Sequence, residues 1–129
     1  MKNAFLFVYG TLLDDDNEYA IYLKNNSSFY SEGRLRGKLY DIGEYPGVIL
    51  SEETDTFVYG NILKIDRPQK VFAVVDGYEG YGTDQPRLNE FMRKLIEVET
   101  AAGVVTCWVY FYNLSTDGLF LFENGRYIK

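Results

Sequence analysis

The sequence predicts a single α+β domain built on a mixed sheet that is curved or closed. Many short apolar segments are typical of strands, whereas only two segments carry helical patterning. Glycines interrupt the longest extended segment, and glycine within a strand often marks a bulge or a bend. The length of 129 residues suits one ordinary domain, so residues 1–129 are expected to form one unit.

Six segments are predicted to be strands. Gly33 and Gly37 are expected at bulges or bends of the second strand, and the last two strands are expected to form a hairpin around Ala101-Ala102-Gly103. The final strand is apolar almost throughout, which predicts burial on both faces. Asn124-Gly125 is a strong signal for a type I′ turn. The predicted strands are 4–9, 29–40, 48–50, 57–65, 91–99 and 104–112.

Two helices are predicted between these strands. The first begins at Asp14–Asp16, where short acidic residues suit the positive end of a helix, and runs to about Lys24. The second begins with Asp66 as its N-cap and Pro68 in its first turn. Gly77 and Gly80 are expected to end it. Its apolar stripe comprises Val71, Phe72, Val74, Val75 and Tyr78.

Composition excludes several classes of function. The net charge of −6 and the pI near 4.6 argue against a nucleic-acid binder, which needs a basic face. The chain contains no histidine and one cysteine, which removes histidine-dependent triads and the usual zinc sites. Acid–base chemistry near neutral pH must therefore use a carboxylate, lysine, cysteine or tyrosine. Cys107, in the middle of a strand, is expected to be inert core.

The apolar run 4–8 near the N-terminus is too short for a signal peptide, because Tyr9-Gly10 interrupts it and three aspartates follow at 14–16. No apolar run is long enough to span a membrane. A cytoplasmic protein without a membrane partner is the expectation.

Tyr9-Gly10-Thr11-Leu12 lies where the first strand should lead into a helix. Gly10 allows a ligand to approach the backbone closely, and free N–H groups near a helix start can hold an anion or a developing oxyanion. An ordinary strand-to-helix turn is the alternative interpretation of this segment.

Glu79 follows the predicted C-terminus of the second helix. The negative end of the helix dipole disfavours a carboxylate and predicts a raised pKa for Glu79, which suits a general base at neutral pH. A solvated glutamate in a glycine-rich loop is the alternative. The segment 40–47, rich in Gly, Pro and Tyr, is consistent with either a pocket wall or a turn with packed tyrosines.

These segments together resemble the γ-glutamylcyclotransferase-like (AIG2-like) family. Residues 5–12 (Phe-Leu-Phe-Val-Tyr-Gly-Thr-Leu) look like its first strand and substrate-binding segment, and residues 37–47 look like its second motif. Residues 75–81 (Val-Asp-Gly-Tyr-Glu-Gly-Tyr) are similar to the segment that carries its catalytic glutamate, with Val75 in place of the usual leucine. Phe91-Met92-Arg93 and Trp108-Val109-Tyr110 match an aromatic-x-Arg and a Trp-x-Tyr strand.

The resemblance implies a small mixed β-barrel with flanking helices that cyclises a γ-glutamyl group without a cofactor. It implies Glu79 as the catalytic acid and base. It also implies that Tyr9, Gly10, Thr11 and Leu12 bind the γ-glutamyl group through their backbone. Tyr45 and Tyr110 are further candidates for the pocket. The products would be 5-oxoproline and a free amine or amino acid, whose identity the sequence leaves open.

Two other functions are compatible with the sequence. A binding or regulatory module could keep the pocket of the family without turnover, in which case a ligand would stabilise the protein and no product would form. An interaction domain without a pocket would show neither behaviour.

Overall fold

The computed structural model describes residues 4–9, 18–41, 46–51, 55–79, 91–112, 116–122 and 125. Two helices and seven strands lie within these ranges. In chain order they are β1 (Phe5–Val8), α1 (Glu18–Asn25), β2 (Ser27–Asp41), β3 (Pro46–Leu50), β4 (Phe57–Ile65), α2 (Pro68–Glu79), β5 (Phe91–Thr100), β6 (Gly103–Tyr112) and β7 (Phe120–Phe122). Neither helix is long and apolar enough to cross a membrane.

The strands form a closed mixed barrel flanked by the two helices, as the sequence and the resemblance predicted. The path runs β2-β4-β1-β6-β5 and closes where Arg34 of β2 pairs with Glu99 of β5. β1 is parallel to β6, and the other pairs are antiparallel. β3 and β7 extend the sheet by pairing with the last residues of β2.

The predicted strands and the β5–β6 hairpin are confirmed, and β7 is an element that the sequence analysis missed. The pairing irregularity of β2 lies between Phe29 and Ser31, so neither Gly33 nor Gly37 forms a bulge in the β2–β4 pairing, and a bend at either glycine stays a prediction. At Gly33 the strand instead passes close to β5, because a Cβ atom there would lie 2.7 Å from the Val98 methyl Cγ1.

The N-cap of α2 and the role of Gly77 differ from expectation. The carbonyl of Arg67 accepts the first helical hydrogen bonds, from the N–H groups of Lys70 and Val71 at 3.1 Å. Arg67, with a φ of 48°, therefore occupies the N-cap position that was expected for Asp66. The helix also continues through Gly77 to Glu79. A helical glycine costs only about 1 kcal/mol relative to alanine, which packing elsewhere in the helix offsets.

The C-terminal end of α1 is capped by the two residues that follow the helix, Asn26 and Ser27. The Asn26 amide Nδ2 donates to the Tyr22 carbonyl at 2.8 Å, and the Ser27 hydroxyl donates to the Leu23 carbonyl at 2.5 Å. These bonds satisfy carbonyls that would otherwise lack a partner at the helix end. The predicted start at 14–16 lies outside the described residues.

Buried side chains form two layers on opposite sides of the sheet. The first layer fills the barrel, and the second lies between the barrel wall and the two helices. The barrel layer comprises Phe7, Tyr9, Leu35, Leu39, Val48, Val58, Ile62, Val98, Cys107, Val109 and Phe122. The helix layer comprises Leu6, Val8, Leu23, Ile65, Val71, Phe72, Tyr110 and Tyr112. Both layers take alternate residues of β1 and β6, as expected for strands buried on two faces.

The prediction that β6 is buried on both faces holds only for its second half. Val104 is 60% exposed and Thr106 is also exposed, whereas no residue from Cys107 to Tyr112 is. The first half of β6 belongs to the tip of the β5–β6 hairpin, and none of the residues 103–106 belongs to the helix layer.

The type I′ turn expected at Asn124-Gly125 stays a prediction, because only Gly125 of this pair is among the described residues. The Gly125 N–H donates to the Phe122 carbonyl at 3.0 Å. Its φ of 71° suits glycine.

Cys107 is expected to resist thiol reagents in the native protein. Its side chain is fully buried, and this burial raises the pKa of the thiol to about 12. Because the thiolate is the reactive form, native protein at pH 8 should remain unlabelled, whereas denatured protein should take up one label. Mass spectrometry with and without denaturant measures this, since the chain holds one cysteine. Fast labelling of the native protein would contradict the burial.

Candidate active site

The structure describes three of the residues that the sequence assigned to the site. Tyr9 and Tyr110 are described in full, and Glu79 is described as the last residue of α2. The remaining predicted residues, Gly10, Thr11, Leu12 and Tyr45, lie outside the described residues.

Tyr9 immediately follows β1, and its side chain is buried in the barrel layer. Its hydroxyl donates a hydrogen bond to the backbone carbonyl of Tyr110 in β6. The same oxygen accepts a hydrogen bond from the backbone N–H of Val48 in β3, at 3.3 Å. Burying a tyrosine hydroxyl is favourable only when it finds such partners.

Tyr110 meets Tyr9 through its backbone, while its ring lies on the other side of the sheet. The ring is 2% exposed and belongs to the helix layer. The two predicted tyrosines are therefore adjacent in the fold, but their side chains occupy different layers. A direct substrate contact by the Tyr110 ring stays a prediction.

Helix α2 is fixed against the barrel through Val71 and Phe72, which are both buried. The Phe72 ring meets the Trp108 ring edge-on, with 6.1 Å between centroids. The Arg93 guanidinium lies over both rings, 4.6 Å from the Phe72 centroid and 4.3 Å from the Trp108 centroid. Such cation–π contacts contribute on the order of 1 kcal/mol each when partly desolvated.

Arg93 and Trp108 had no assigned role in the sequence, although both belong to motifs that carry the resemblance. Arg93 lies opposite Tyr110 in the β5–β6 register, and Trp108 is two residues before Tyr110 on the same face. The cross-strand spacing of the two motifs could have indicated this arrangement, but the contact with Phe72 depends on where α2 docks.

The same anchoring fixes the position of Glu79. Glu79 lies seven residues beyond Phe72, which is about two helical turns or ~10.5 Å along the axis. Two turns of a helix return the backbone to the same side, so the Glu79 Cα lies on the side of α2 that faces the barrel. The carbonyl groups of the last turn give this end of α2 a partial negative charge.

A separate groove of about 770 Å³ opens between β2 and the tip of the β5–β6 hairpin. Its charged residues include Arg34 and Glu99, which are paired at 3.2 Å and are each more than 40% exposed. The pKa of the Arg34 guanidinium is held above its usual value. The main cause is a hydrogen bond with the Tyr59 side chain, and the interaction with Glu99 adds to it. Neither Tyr9 nor Tyr110 lines the groove. An exposed pair of this kind contributes little to stability.

No group of three or more acidic or cysteine side chains comes together as a possible metal site within the described ranges.

Comparison with known proteins gives one consistent family. The family model described as γ-glutamyl cyclotransferase, AIG2-like, matches residues 6–129. The γ-glutamylcyclotransferase family protein YtfP of Escherichia coli (strain K12) is 28% identical over 130 residues, covering 95% of each chain. YkqA of Bacillus subtilis (strain 168) is 25% identical over 111 residues, but the chain spans only 36% of its length.

Solved structures show the same fold. An AIG2-like protein from Mus musculus superposes with a TM-score of 0.75 at 23% identity, covering 99% of this chain and 90% of the mouse chain. The solution structure of E. coli YtfP superposes with a TM-score of 0.67 at 28% identity, covering 96% of each chain.

Proposed function

The chain belongs to the γ-glutamyl cyclotransferase, AIG2-like family, and we propose that it releases 5-oxoproline from a γ-glutamyl amine or γ-glutamyl amino acid. The observation that carries this proposal is the family match over residues 6–129, which includes both Tyr9 and Glu79. The anchoring of α2 to the barrel through Phe72 supports it, because that contact fixes the helix that ends at Glu79.

The proposed reaction needs no external nucleophile. The α-amine of the substrate attacks its own γ-carbonyl carbon, and the new C–N bond closes a five-membered lactam. The bond from that carbon to the leaving nitrogen breaks, so the products are 5-oxoproline and an amine. Because both reacting groups belong to one molecule, the enzyme gains mainly by orienting them, and orientation in such closures is worth several orders of magnitude in rate.

Glu79 moves the proton in this proposal. Its carboxylate takes a proton from the α-ammonium group, which makes the amine nucleophilic, and later gives a proton to the leaving nitrogen. One carboxylate serves both steps, which is consistent with a chain that contains no histidine. The backbone of Tyr9, Gly10, Thr11 and Leu12 holds the γ-glutamyl group, and its N–H groups are suited to a developing oxyanion. Tyr45 and Tyr110 line or support the pocket.

A panel of γ-glutamyl amines and γ-glutamyl amino acids tests the proposal. We expect wild-type protein to release 5-oxoproline and the free amine in equal amounts from at least one member. The leaving group of the best substrate then identifies the substrate class. A folded protein that is stabilised thermally by a panel member without forming product would instead support the binding module. No product and no stabilisation across the panel would contradict both.

A further inference from the structure

The Tyr9 hydroxyl joins two strands that do not pair with each other within the described ranges. β3 pairs with β2, and β6 pairs with β1 and β5. β3 nevertheless packs beside β6. The Tyr9 hydroxyl bridges them, because it donates to the Tyr110 carbonyl of β6 and accepts from the Val48 N–H of β3.

This bridge lies beside two of the segments that the sequence singled out. The first segment, 9–12, begins with Tyr9, and the second, 40–47, directly precedes Val48. Val48, one backbone partner of the hydroxyl, is therefore the residue after a candidate site segment. Tyr110, the other partner, belongs to a third motif, Trp108-Val109-Tyr110. The hydroxyl thus gives a hydrogen-bond partner to one buried backbone group in each of the two strands, and buried backbone groups require such partners.

We propose that Tyr9 is a positioning residue. Its hydroxyl fixes the position of the backbone at the end of β1 relative to the backbone of β3. The inference rests on the proposed function, in which residues 9–12 hold the γ-glutamyl group. The ring of Tyr9 fills the barrel layer and needs no substrate contact for this role. The hydroxyl acts on the reaction through the two backbones that it joins.

Tyr9→Phe tests this inference, because it removes the hydroxyl and keeps the ring that packs in the barrel. The matched control is Tyr59→Phe, which removes a hydroxyl from the outer wall, where Tyr59 contacts Arg34. Two readouts are needed: hydrogen exchange of the Val48 amide by NMR, and the separate values of kcat and KM well below the melting temperature.

In Tyr9→Phe, the Val48 amide is expected to exchange about two- to tenfold faster, as follows from the loss of one net hydrogen bond. We expect kcat to fall about 10- to 100-fold with a smaller change in KM, since misorientation of a bound substrate affects the chemical step most. Tyr59→Phe should change neither readout. A purely structural role of the hydroxyl would lower the melting temperature of Tyr9→Phe and leave kcat and KM at their wild-type values.

The outcomes separate the two proposals. If the wild-type protein released no 5-oxoproline, the proposed function would be overturned. Hydrogen exchange of the Val48 amide in Tyr9→Phe would still show whether the hydroxyl fixes this backbone. Active wild type with unchanged kinetics in Tyr9→Phe would overturn the positioning role alone. Unchanged exchange at Val48 would also overturn it.

Discussion

Glu79→Gln is expected to lower 5-oxoproline release by about 100-fold or more, since general acid–base catalysis contributes roughly 10²–10⁴ in rate. Glutamine has the shape of glutamate but cannot accept the proton of the α-ammonium group. Because Glu79 is the last residue of α2, the substitution leaves the helix and its Phe72 anchor in place. The melting temperature should therefore stay close to that of the wild type.

Glu97→Gln is the matched control for this variant. Glu97 is an exposed carboxylate of β5, opposite Thr106 in the hairpin, and lies outside the candidate site. Glu97→Gln removes the same charge as Glu79→Gln but at a position away from the candidate site. Its 5-oxoproline release should therefore equal that of the wild type. Equal activity in Glu79→Gln and Glu97→Gln would remove Glu79 from the mechanism. Activity should also fall at low pH as Glu79 takes up a proton, and a flat profile would count against its role as base.

Gly60→Ala is expected to cause a large loss of stability. A Cβ atom at Gly60 would lie 2.1 Å from the Val8 carbonyl oxygen and 2.9 Å from Cζ of the Phe7 ring. The oxygen belongs to the backbone of β1, whose register with β4 pairs Val8 with Asn61, so the two strands must separate to relieve the clash. Overpacking of this kind costs about 3 kcal/mol or more. For a domain of this size the melting temperature should then fall by roughly 10 °C.

Gly33→Ala provides the comparison, because Gly33 lies directly opposite Gly60 in the β2–β4 register. The nearest atom to a Cβ at Gly33 is the Val98 methyl Cγ1 at 2.7 Å, and the nearest backbone atom, the Glu99 carbonyl oxygen, is 3.2 Å away, so the clash is milder than at Gly60. The loss should be about 1 kcal/mol, at the low end for overpacking. Thermal melts of both variants measure the difference. A larger loss in Gly33→Ala than in Gly60→Ala would contradict the close approach of β1 and β4.

The elements that the sequence predicted well are those whose signal is local. Residues 57–65 were predicted as a strand and form β4 with the same bounds, because the apolar run ends at Asp66-Arg67-Pro68. The β5–β6 hairpin was equally clear, since Gly103, with a φ of 129°, marks its turn. The short strand β7 has only three residues and forms by pairing with residues 39–41 of β2, so it has little signal of its own.

Closure of the barrel and the interior of the candidate site depend on residues far apart in the chain. The barrel closes at Arg34 and Glu99, which are 65 residues apart. The Tyr9 hydroxyl joins positions 9, 48 and 110, and the Phe72–Arg93–Trp108 contact joins a helix to two strands. Periodicity cannot indicate such contacts. The motifs could indicate Tyr9 and Tyr110 as candidates for the site, but not that their rings lie in different layers.

Isotope labelling tests most directly whether the substrate cyclises on itself. The reaction of wild-type protein with its best γ-glutamyl substrate is run in H₂¹⁸O, and the products are identified by mass spectrometry. The proposed reaction predicts 5-oxoproline without ¹⁸O, in an amount equal to the released amine, since no water enters the bond that forms. Glutamate carrying one ¹⁸O in its γ-carboxyl group would show hydrolysis instead and would contradict the proposed function.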